Sequence, residues 1–328
     1  GRELTVVLLV VAVVVSLALA VIPVYRNYHD DMLVFELGGA EQNGHDYGWQ
    51  FGNYQLRGAA AITEELLADE EPLPNPVYPQ EMGPDAVFFG GTDPGRFVPT
   101  YMIYSAKVRP DVFLITQNAL ADNTYMSTMR DLYADHIWMP TPEDSANAFK
   151  IYVDEVESGK RPRNAELVIQ NGRVQVSGAL GVMEINGILC EMIWKNNSFR
   201  HDFYIEESYV IPWMYPYLTP HGLIMKLNAT KTPLNQGHIT ADLDFWDWYW
   251  RRLTRDWRYR RDVVAQKSFS KLRSALAGLY IARGFISEGE QAFQESRILY
   301  PPSLEANFRL AQEVLLRQGR TGEALEIM

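Results

Sequence analysis

The sequence is short of cysteine, of cationic residues and of recognisable catalytic motifs. Cys190 is the only cysteine among 328 residues, which excludes an intrachain disulfide framework and a zinc site built from several cysteines. Lys and Arg number 30 against 41 Asp and Glu, and this net charge of −11 argues against nucleic-acid binding, since phosphates are neutralised by clustered cations. The motifs G-x-S-x-G and H-E-x-x-H are absent, and His221 has no suitably spaced His or Cys, so we interpret it as a hydrogen-bonded turn residue. We expect neither a metal nor a cofactor.

A long apolar run stands at the start of the chain. From Leu4 to Val24 the sequence carries no charge, and about 20 such residues match the hydrocarbon core of a bilayer. We therefore predict a transmembrane helix over residues 1–25. The alternative is a cleaved signal peptide, because Ala18-Leu19-Ala20 has the small-x-small form that signal peptidase accepts. The length of the run and the absence of an initial Met favour a retained span in a longer protein, whose orientation the flanking charges leave open.

The clearest secondary-structure pattern follows an acidic, proline-rich stretch. Ala86–Phe89 is a short apolar run typical of a buried strand, Gly90–Gly95 has turn composition, Arg96–Lys107 fits a helix, and Asp111–Thr116 is a second apolar run. Two buried strands joined by one helix form a βαβ unit, whose strands are parallel. We predict an α/β fold over residues 26–240, a Rossmann-like layer domain with a parallel sheet core.

Further elements are predicted along the same domain. Helical periodicity favours helices at His45–Asp69, Asp122–Tyr133, Thr141–Ser158 and Val182–Lys195. Asn171-Gly172 lies between two runs of strand composition and is typical of a tight hairpin turn. Phe203–Ile205 and Leu223–Leu227 are predicted strands, and the aromatic, proline-rich segment Pro212–Pro220 between them is predicted to be a loop.

The composition then changes to helix formers with no strand signal. Trp, Tyr and Phe residues interleaved with arginines at 245–261 predict a structural helix. Leu276-Ala277 and Leu310-Ala311 are 34 positions apart, which is the period of tetratricopeptide repeats. We predict a helical linker and tetratricopeptide-like repeats over residues 241–328. Because such repeats are stable only when stacked, we expect the natural protein to continue beyond Met328.

Two groups of polar residues are candidate ligand-binding sites. Thr92, Asp93 and Arg96 lie at the carboxyl end of the first strand and the amino end of the next helix, where backbone N–H groups attract anions. They would bind a sugar or a phosphate; the alternative is that Asp93 only caps the helix and Arg96 is solvated. Glu206 and Glu207 follow another strand, where a carboxylate can act as acid, base or ligand, or else pair with an arginine. We assign no catalytic residue.

Three stretches resemble one family. The run AVFFGGTDPGRFVPTYMIYSAKVRPDVFLITQNALADNTYMSTMRDLY, which begins at Ala86, is similar to a block that recurs in a large family of bacterial multispanning membrane proteins, formerly a domain of unknown function. VMEINGILCEMIW at 182–194 and EESYVIPWMYPYLTPHGLIMKLN at 206–228 agree with the same family. That family looks like the protein O-mannosyltransferases of the glycosyltransferase C superfamily, and its members end in tetratricopeptide-like helices. In that family the loop after the first strand of this block is closer to Gly-Asp-Asn-Asp-Thr-Phe. This chain departs from that pattern, because it has Gly-Thr-Asp-Pro-Gly-Arg-Phe there.

The resemblance implies a membrane glycosyltransferase that moves a sugar from a polyprenyl-phosphate donor to a protein acceptor. In such a protein the catalytic loop would precede this chain, so we expect the chain to be an accessory part that is inactive alone. The resemblance also implies the bacterial inner (cytoplasmic) membrane, with the part after Val24 in the periplasm.

Two other functions remain open. The chain would be a membrane-tethered interaction protein if its repeats recruit a protein partner while the α/β domain is a spacer. It would be a soluble sugar-binding protein if it is cleaved after Ala20.

Overall fold

The computed structural model describes residues 1–29, 47–91, 97–161, 166–170, 173–206 and 211–328. The helices in these ranges are α1 (Arg2–His29), α2 (Tyr47–Glu65), α3 (Phe97–Thr100), α4 (Asn123–Tyr133), α5 (Pro142–Glu157), α6 (Ala179–Asn197), α7 (Gln236–Arg255), α8 (Val263–Ala282), α9 (Ile286–Leu299), α10 (Leu304–Arg309) and α11 (Thr321–Ile327). The strands are β1 (Val87–Gly90), β2 (Phe113–Thr116), β3 (Glu166–Gln170), β4 (Arg173–Ser177), β5 (Phe203–Ile205), β6 (Leu218–His221) and β7 (Ile224–Leu227). Turns of π-helix continue α3 over Tyr101–Ser105 and α10 over Leu310–Leu315, and short 3-10 helices occupy Gln117–Ala119, Pro212–Tyr217 and Tyr259–Arg261.

The predicted N-terminal helix is confirmed as α1. Its segment Arg2–Asn27, 26 residues, is long and apolar enough to cross a membrane by length and composition. None of its apolar side chains is buried by the rest of the chain.

Five strands form a mixed sheet in the order β2-β1-β5-β7-β6. β1 is central to a parallel group, with Phe88 opposite Leu114 of β2 and Tyr204 of β5. β7 then runs antiparallel to both β5 and β6. The predicted parallel core is therefore present, but antiparallel strands complete one side of the sheet.

The prediction of a continuous loop at Pro212–Pro220 is wrong. Pro212–Tyr217 is a 3-10 helix, and Leu218–His221 forms β6, which turns at Gly222 into β7. Gly222 has a φ of 65°, a conformation in which glycine is favoured. β6 is at the edge of the sheet, where Pro220 can sit without breaking the ladder on both sides.

The sheet is buried on both faces, which accounts for the uninterrupted apolar run in β1. Val87 and Phe89 join a large core with helices α4–α8, whereas Phe88 joins a second cluster that includes Leu56 of α2 and Met102. Residues of α7 and α8 share the large core with the sheet. Side chains on both sides of the proposed boundary at residue 240 thus pack together.

Local signals set several element boundaries as expected. Thr141 and Asp144 form a reciprocal capping box at the start of α5, and the Asp122 side chain accepts from the backbone of Tyr125 at the start of α4. β3 and β4 pair antiparallel around the predicted Asn171-Gly172 turn, which itself lies outside the described residues.

His221 is a buried turn histidine, as interpreted from the sequence. Its Nε2 lies 2.8 Å from the carbonyl oxygen of Gln80, which requires the Nε2–H tautomer. Burial lowers the pKa of His221 to about 4, so the imidazole is neutral at pH 7.

The C-terminal region is all helical. α8 and α9 pack against each other, and α10 with its π-helical turn packs beside both. Ala277, Tyr280, Ala311 and Val314 are buried in one cluster, so these residues spaced by 34 positions all face inward.

A buried ionic network joins these helices to the α/β domain. Arg273 of α8 is fully buried and donates to Asp242 of α7 (2.9 Å) and Glu295 of α9 (2.7 Å). Tyr280 and Tyr78 donate to the same Asp242 carboxylate at 2.5 and 3.0 Å. Burial raises the pKa of Asp242, whereas the Arg273 cation and the two tyrosine hydroxyls act in the opposite direction by stabilising the charged carboxylate.

α2 bends at Gly58. This residue has φ 52° and ψ −134°, outside the helical region, and it divides α2 into two helical parts. The backbone amide of Ala59 donates to Pro79 O at 2.7 Å, so the bend docks the helix on the chain that leads into β1.

Candidate functional site

The structure describes one of the five predicted ligand-binding residues. Thr92, Asp93 and Arg96 lie outside the described residues, and so does Glu207. Glu206 is described, and it directly follows β5. The roles assigned to the other four residues stay predictions.

Glu206 bridges the carboxyl ends of two parallel strands. Its backbone amide donates to Phe89 O at 3.1 Å, which extends the pairing of β5 with β1 by one residue. Its carboxylate Oε2 accepts from the backbone amide of Gly91 at 2.7 Å, and the side chain is buried. A charged acceptor makes this a strong hydrogen bond. Glu206 therefore fixes the backbone of Gly91, which directly follows β1, at this edge of the sheet.

Gln117 lies at the end of the third parallel strand. It follows β2 directly and is 2% exposed, and among the described residues its Oε1 has no hydrogen-bond partner. The turn that carries it is held by Asn186 of α6, which accepts from Ala121 N (2.7 Å) and donates to Asn118 O (3.0 Å). The amide is thus buried on a fixed backbone with its acceptor unused.

A cleft of about 420 Å³ opens beside this amide. It lies between the turn after β2, helix α6 and the start of the 3-10 helix at Pro212–Tyr217. Gln117 lines it together with the apolar side chains of Met183, Ile188, Ile211 and Trp213. A mostly apolar concavity with a few polar groups is the usual form of a small-ligand site.

Trp213 is held firmly in the wall of the cleft. Its indole N–H donates to Gly187 O at 3.2 Å, and its ring packs on Trp194 with centroids 5.2 Å apart. A Cβ at Gly187 would lie 3.0 Å from Ile211 Cγ2, so the close approach of this segment to α6 depends on glycine.

The charges of the cleft are balanced. Arg161 donates to Glu155 (2.5 Å) and to Glu184 (3.4 Å), and Glu191 pairs with Lys195 (2.7 Å). Since each cation is paired with a carboxylate, the cleft offers an anion such as phosphate little net attraction. A neutral ligand fits it better.

Gln117→Met is expected to leave the free energy of unfolding unchanged or to raise it by up to about 1–3 kcal/mol. An unsatisfied buried acceptor costs roughly that amount, and methionine has a similar shape without the polar atoms. Denaturant titration of the detergent-solubilised chain measures the change. A loss of stability would show that Gln117 makes a structural hydrogen bond and would remove it from the site.

The sequence interpretation missed Gln117 and Trp213. A polar residue directly after the apolar run DVFLIT was a usable signal for the first, because it marks the carboxyl end of a parallel strand. Nothing local marked Trp213, which reaches the cleft through the tertiary contact with Gly187.

No metal centre emerges in the part of the chain that the structure describes, since no three His, Cys, Asp or Glu side chains are grouped there to hold an ion. Comparison of the chain with protein-family models, curated proteins and solved structures finds no match.

Proposed function

We propose that the chain is the membrane-anchored, exoplasmic accessory part of a glycosyltransferase similar to the protein O-mannosyltransferases, with the catalytic loop outside this chain. Two features support the proposal. α1 is able to cross a membrane, and the three stretches that resemble the family coincide with β1 to α4, with α6 and with the region from Glu206 to β7. Those stretches include the carboxyl ends of β1 and β2, and Glu206 directly after β5. We also propose that the α/β layers are related to the Rossmann type, with Arg96 and its neighbours completing the ligand site.

The observation that carries the proposal is the charge-balanced, mostly apolar cleft that Gln117 and Trp213 line, next to a Gln117 amide whose buried Oε1 has no partner among the described residues. A sugar matches this arrangement, because its hydroxyl groups donate hydrogen bonds and its C–H surface can cover an apolar wall such as Trp213. In this proposal the cleft holds the sugar of a polyprenyl-phosphate donor or of a glycosylated acceptor, and no metal or cofactor takes part. The soluble part would face the periplasm from the inner membrane of a bacterium.

A second function is favoured by the helical end of the chain. Ala277 and Ala311 are 34 positions apart and are buried in one cluster, which supports tetratricopeptide-like stacking of α8–α9 and α10–α11. Leu304 and Phe308 of α10 are 85% and 48% exposed. In this alternative the helices recruit a protein partner and the chain acts as a membrane-tethered interaction protein.

The anchor is tested with Val14→Arg. Val14 is at the middle of the apolar run Leu4–Val24 of α1, where an arginine costs about 2.5–3.5 kcal/mol of insertion free energy. We expect the wild-type chain to stay in the membrane fraction after carbonate extraction and the variant to be released in part. Leu4→Arg, near the end of α1, is the control and should insert almost normally because its side chain can reach the lipid headgroups. A soluble product that starts near Val21 would show cleavage and contradict the anchor.

A further inference from the structure

Another concavity, of about 390 Å³, lies where α2, the turn after it and the end of α7 meet. This α2–α7 pocket shares no lining residue with the Gln117 cleft. Leu67, Leu253 and the indole of Trp49, which is 42% exposed, supply its apolar surface. Most of the other lining residues are charged. The volume is within the range of small-ligand sites, so the charges decide what kind of ligand fits.

Two of the three carboxylates that line the α2–α7 pocket are paired with arginines. Glu70 accepts two hydrogen bonds from Arg252, at 2.8 and 3.1 Å. Asp256 accepts from Arg258 at 2.8 Å. These two pairs occupy both arginines of the lining, and the third carboxylate belongs to Glu65. The pocket therefore keeps one negative charge that its own cations do not compensate.

Neutral groups hold the Glu65 carboxylate in place. Trp49 Nε1 donates to its Oε1 at 3.0 Å, and Asn53 Nδ2 donates to the same oxygen at 2.7 Å. Asn53 is 3% exposed, so it fixes the carboxylate from the protein interior. Arg57 of the same helix is paired with Glu64 instead, at 2.6 Å. Among the described residues, the second oxygen of Glu65, Oε2, receives no hydrogen bond and the carboxylate has no ion pair.

An ammonium group matches this half-buried carboxylate. It can donate a charge-assisted hydrogen bond to Oε2, and the attraction is stronger in a partly dehydrated pocket than in bulk water. A cation bonded to Glu65 also lies beside the indole of Trp49, and the face of an indole ring attracts cations. Because Trp49 and Asn53 already hold the carboxylate, little side-chain freedom is lost when the ligand binds.

We propose that the α2–α7 pocket binds a ligand that carries an ammonium group, with Glu65 as the counter-ion and Trp49 as the wall beside it. Two sources share this chemistry: an amino sugar and the lysine side chain of a protein. The pocket is separate from the Gln117 cleft, so this inference does not depend on sugar transfer by the whole protein.

Binding of charged and neutral probes to the full chain tests the proposal. The probes are glucosamine and the amide of N-acetyl-lysine, and their neutral counterparts are N-acetylglucosamine and the amide of N-acetyl-norleucine. Ligand-observed NMR in a non-ionic detergent, at low ionic strength and slightly acidic pH, measures each dissociation constant. We expect at least one ammonium probe to bind about tenfold more tightly than its neutral counterpart, and added salt to weaken that binding. The tighter of the two ammonium probes identifies the source.

Glu65→Gln assigns the binding to this pocket. Glutamine keeps an oxygen that can accept from Trp49 and Asn53, and it removes the charge, so we expect about tenfold weaker binding of the ammonium probe at an unchanged urea midpoint. Asp69→Asn is the matched control, because it removes the same charge from an exposed residue outside the lining and should leave the affinity unchanged. Equal affinity for charged and neutral probes of the wild-type chain, or equal effects of the two substitutions, would overturn the proposal.

Discussion

Arg273→Met is expected to lower the free energy of unfolding by about 3–5 kcal/mol, because it leaves two buried carboxylates without their cation. Arg273 is fully buried between Asp242 and Glu295, at 2.9 and 2.7 Å. The network joins α7, α8 and α9, and through Tyr78 it reaches the segment that precedes β1. Urea titration of the detergent-solubilised chain at pH 7 measures the loss.

The pH dependence of this variant has a definite sign. Burial raises the pKa of Asp242 even beside Arg273, and without the cation the carboxyl group will hold its proton to higher pH. The folded variant then binds more protons than the unfolded chain above the ordinary carboxyl pKa of about 4, so its stability falls as the pH rises. Arg251→Met is the control, since Arg251 pairs only with partly exposed Glu71 and Asp247 and should cost at most about 1 kcal/mol. Equal effects of the two substitutions would contradict the structural role of the network.

Gly58→Ala is the second substitution with a large expected effect, a loss of about 4 kcal/mol or more. A Cβ at this position would lie 2.3 Å from Pro79 O and 2.6 Å from Gln80 O, backbone atoms that accept hydrogen bonds from Ala59 N and His221 Nε2. The φ of 52° with ψ of −134° adds backbone strain for any residue with a Cβ. Thermal and urea unfolding of the variant measure the loss.

Gly48→Ala is the matched control in the same helix. A Cβ there meets nothing within 4 Å, and alanine favours a helix over glycine by about 0.5–1 kcal/mol. We expect this variant to be as stable as the wild type or slightly more so. If Gly58→Ala were equally well tolerated, the bend of α2 against Pro79 would not be a feature of the folded protein.

The sequence predictions that succeeded depend on interactions between residues close together in the sequence. The helix that starts at Thr141, the apolar run of β1 and the strands flanking Asn171-Gly172 depend on residues a few positions apart, so the sequence displays them directly. Strand β6 was missed because Pro220 argues against a strand unless the strand is at an edge, and edge position is decided by the whole sheet. The antiparallel direction of β7 is likewise decided by the assembly of the whole sheet.

The candidate site was harder to predict, because it is formed by contacts between residues far apart in the sequence. Glu206 and Gly91 are 115 positions apart, and nothing in the sequence indicated that the carboxylate after β5 binds the backbone after β1. The unused acceptor of Gln117 is a property of its surroundings, since the same residue in an exposed turn would be hydrated. The aromatic helix α7 is the reverse case, because its structural role was predicted and Trp246 and Trp248 are indeed buried in the core.

We propose that the Gln117 cleft holds a sugar for a transferase whose catalytic loop lies outside this chain. The most direct test is sugar transfer by membranes containing the full gene product, with a labelled polyprenyl-phosphate sugar and an acceptor protein. The Gln117→Met variant should fold in the same amount as the wild type. Its rate of sugar transfer should be about tenfold lower, which is the effect of losing about 1.4 kcal/mol of binding free energy. Gln236→Met, at an exposed position, is the control and should leave the transfer rate unchanged. The chain alone should transfer nothing. Sugar transfer by the Gln117→Met variant at the wild-type rate, or any sugar transfer by the isolated chain, would contradict this proposal.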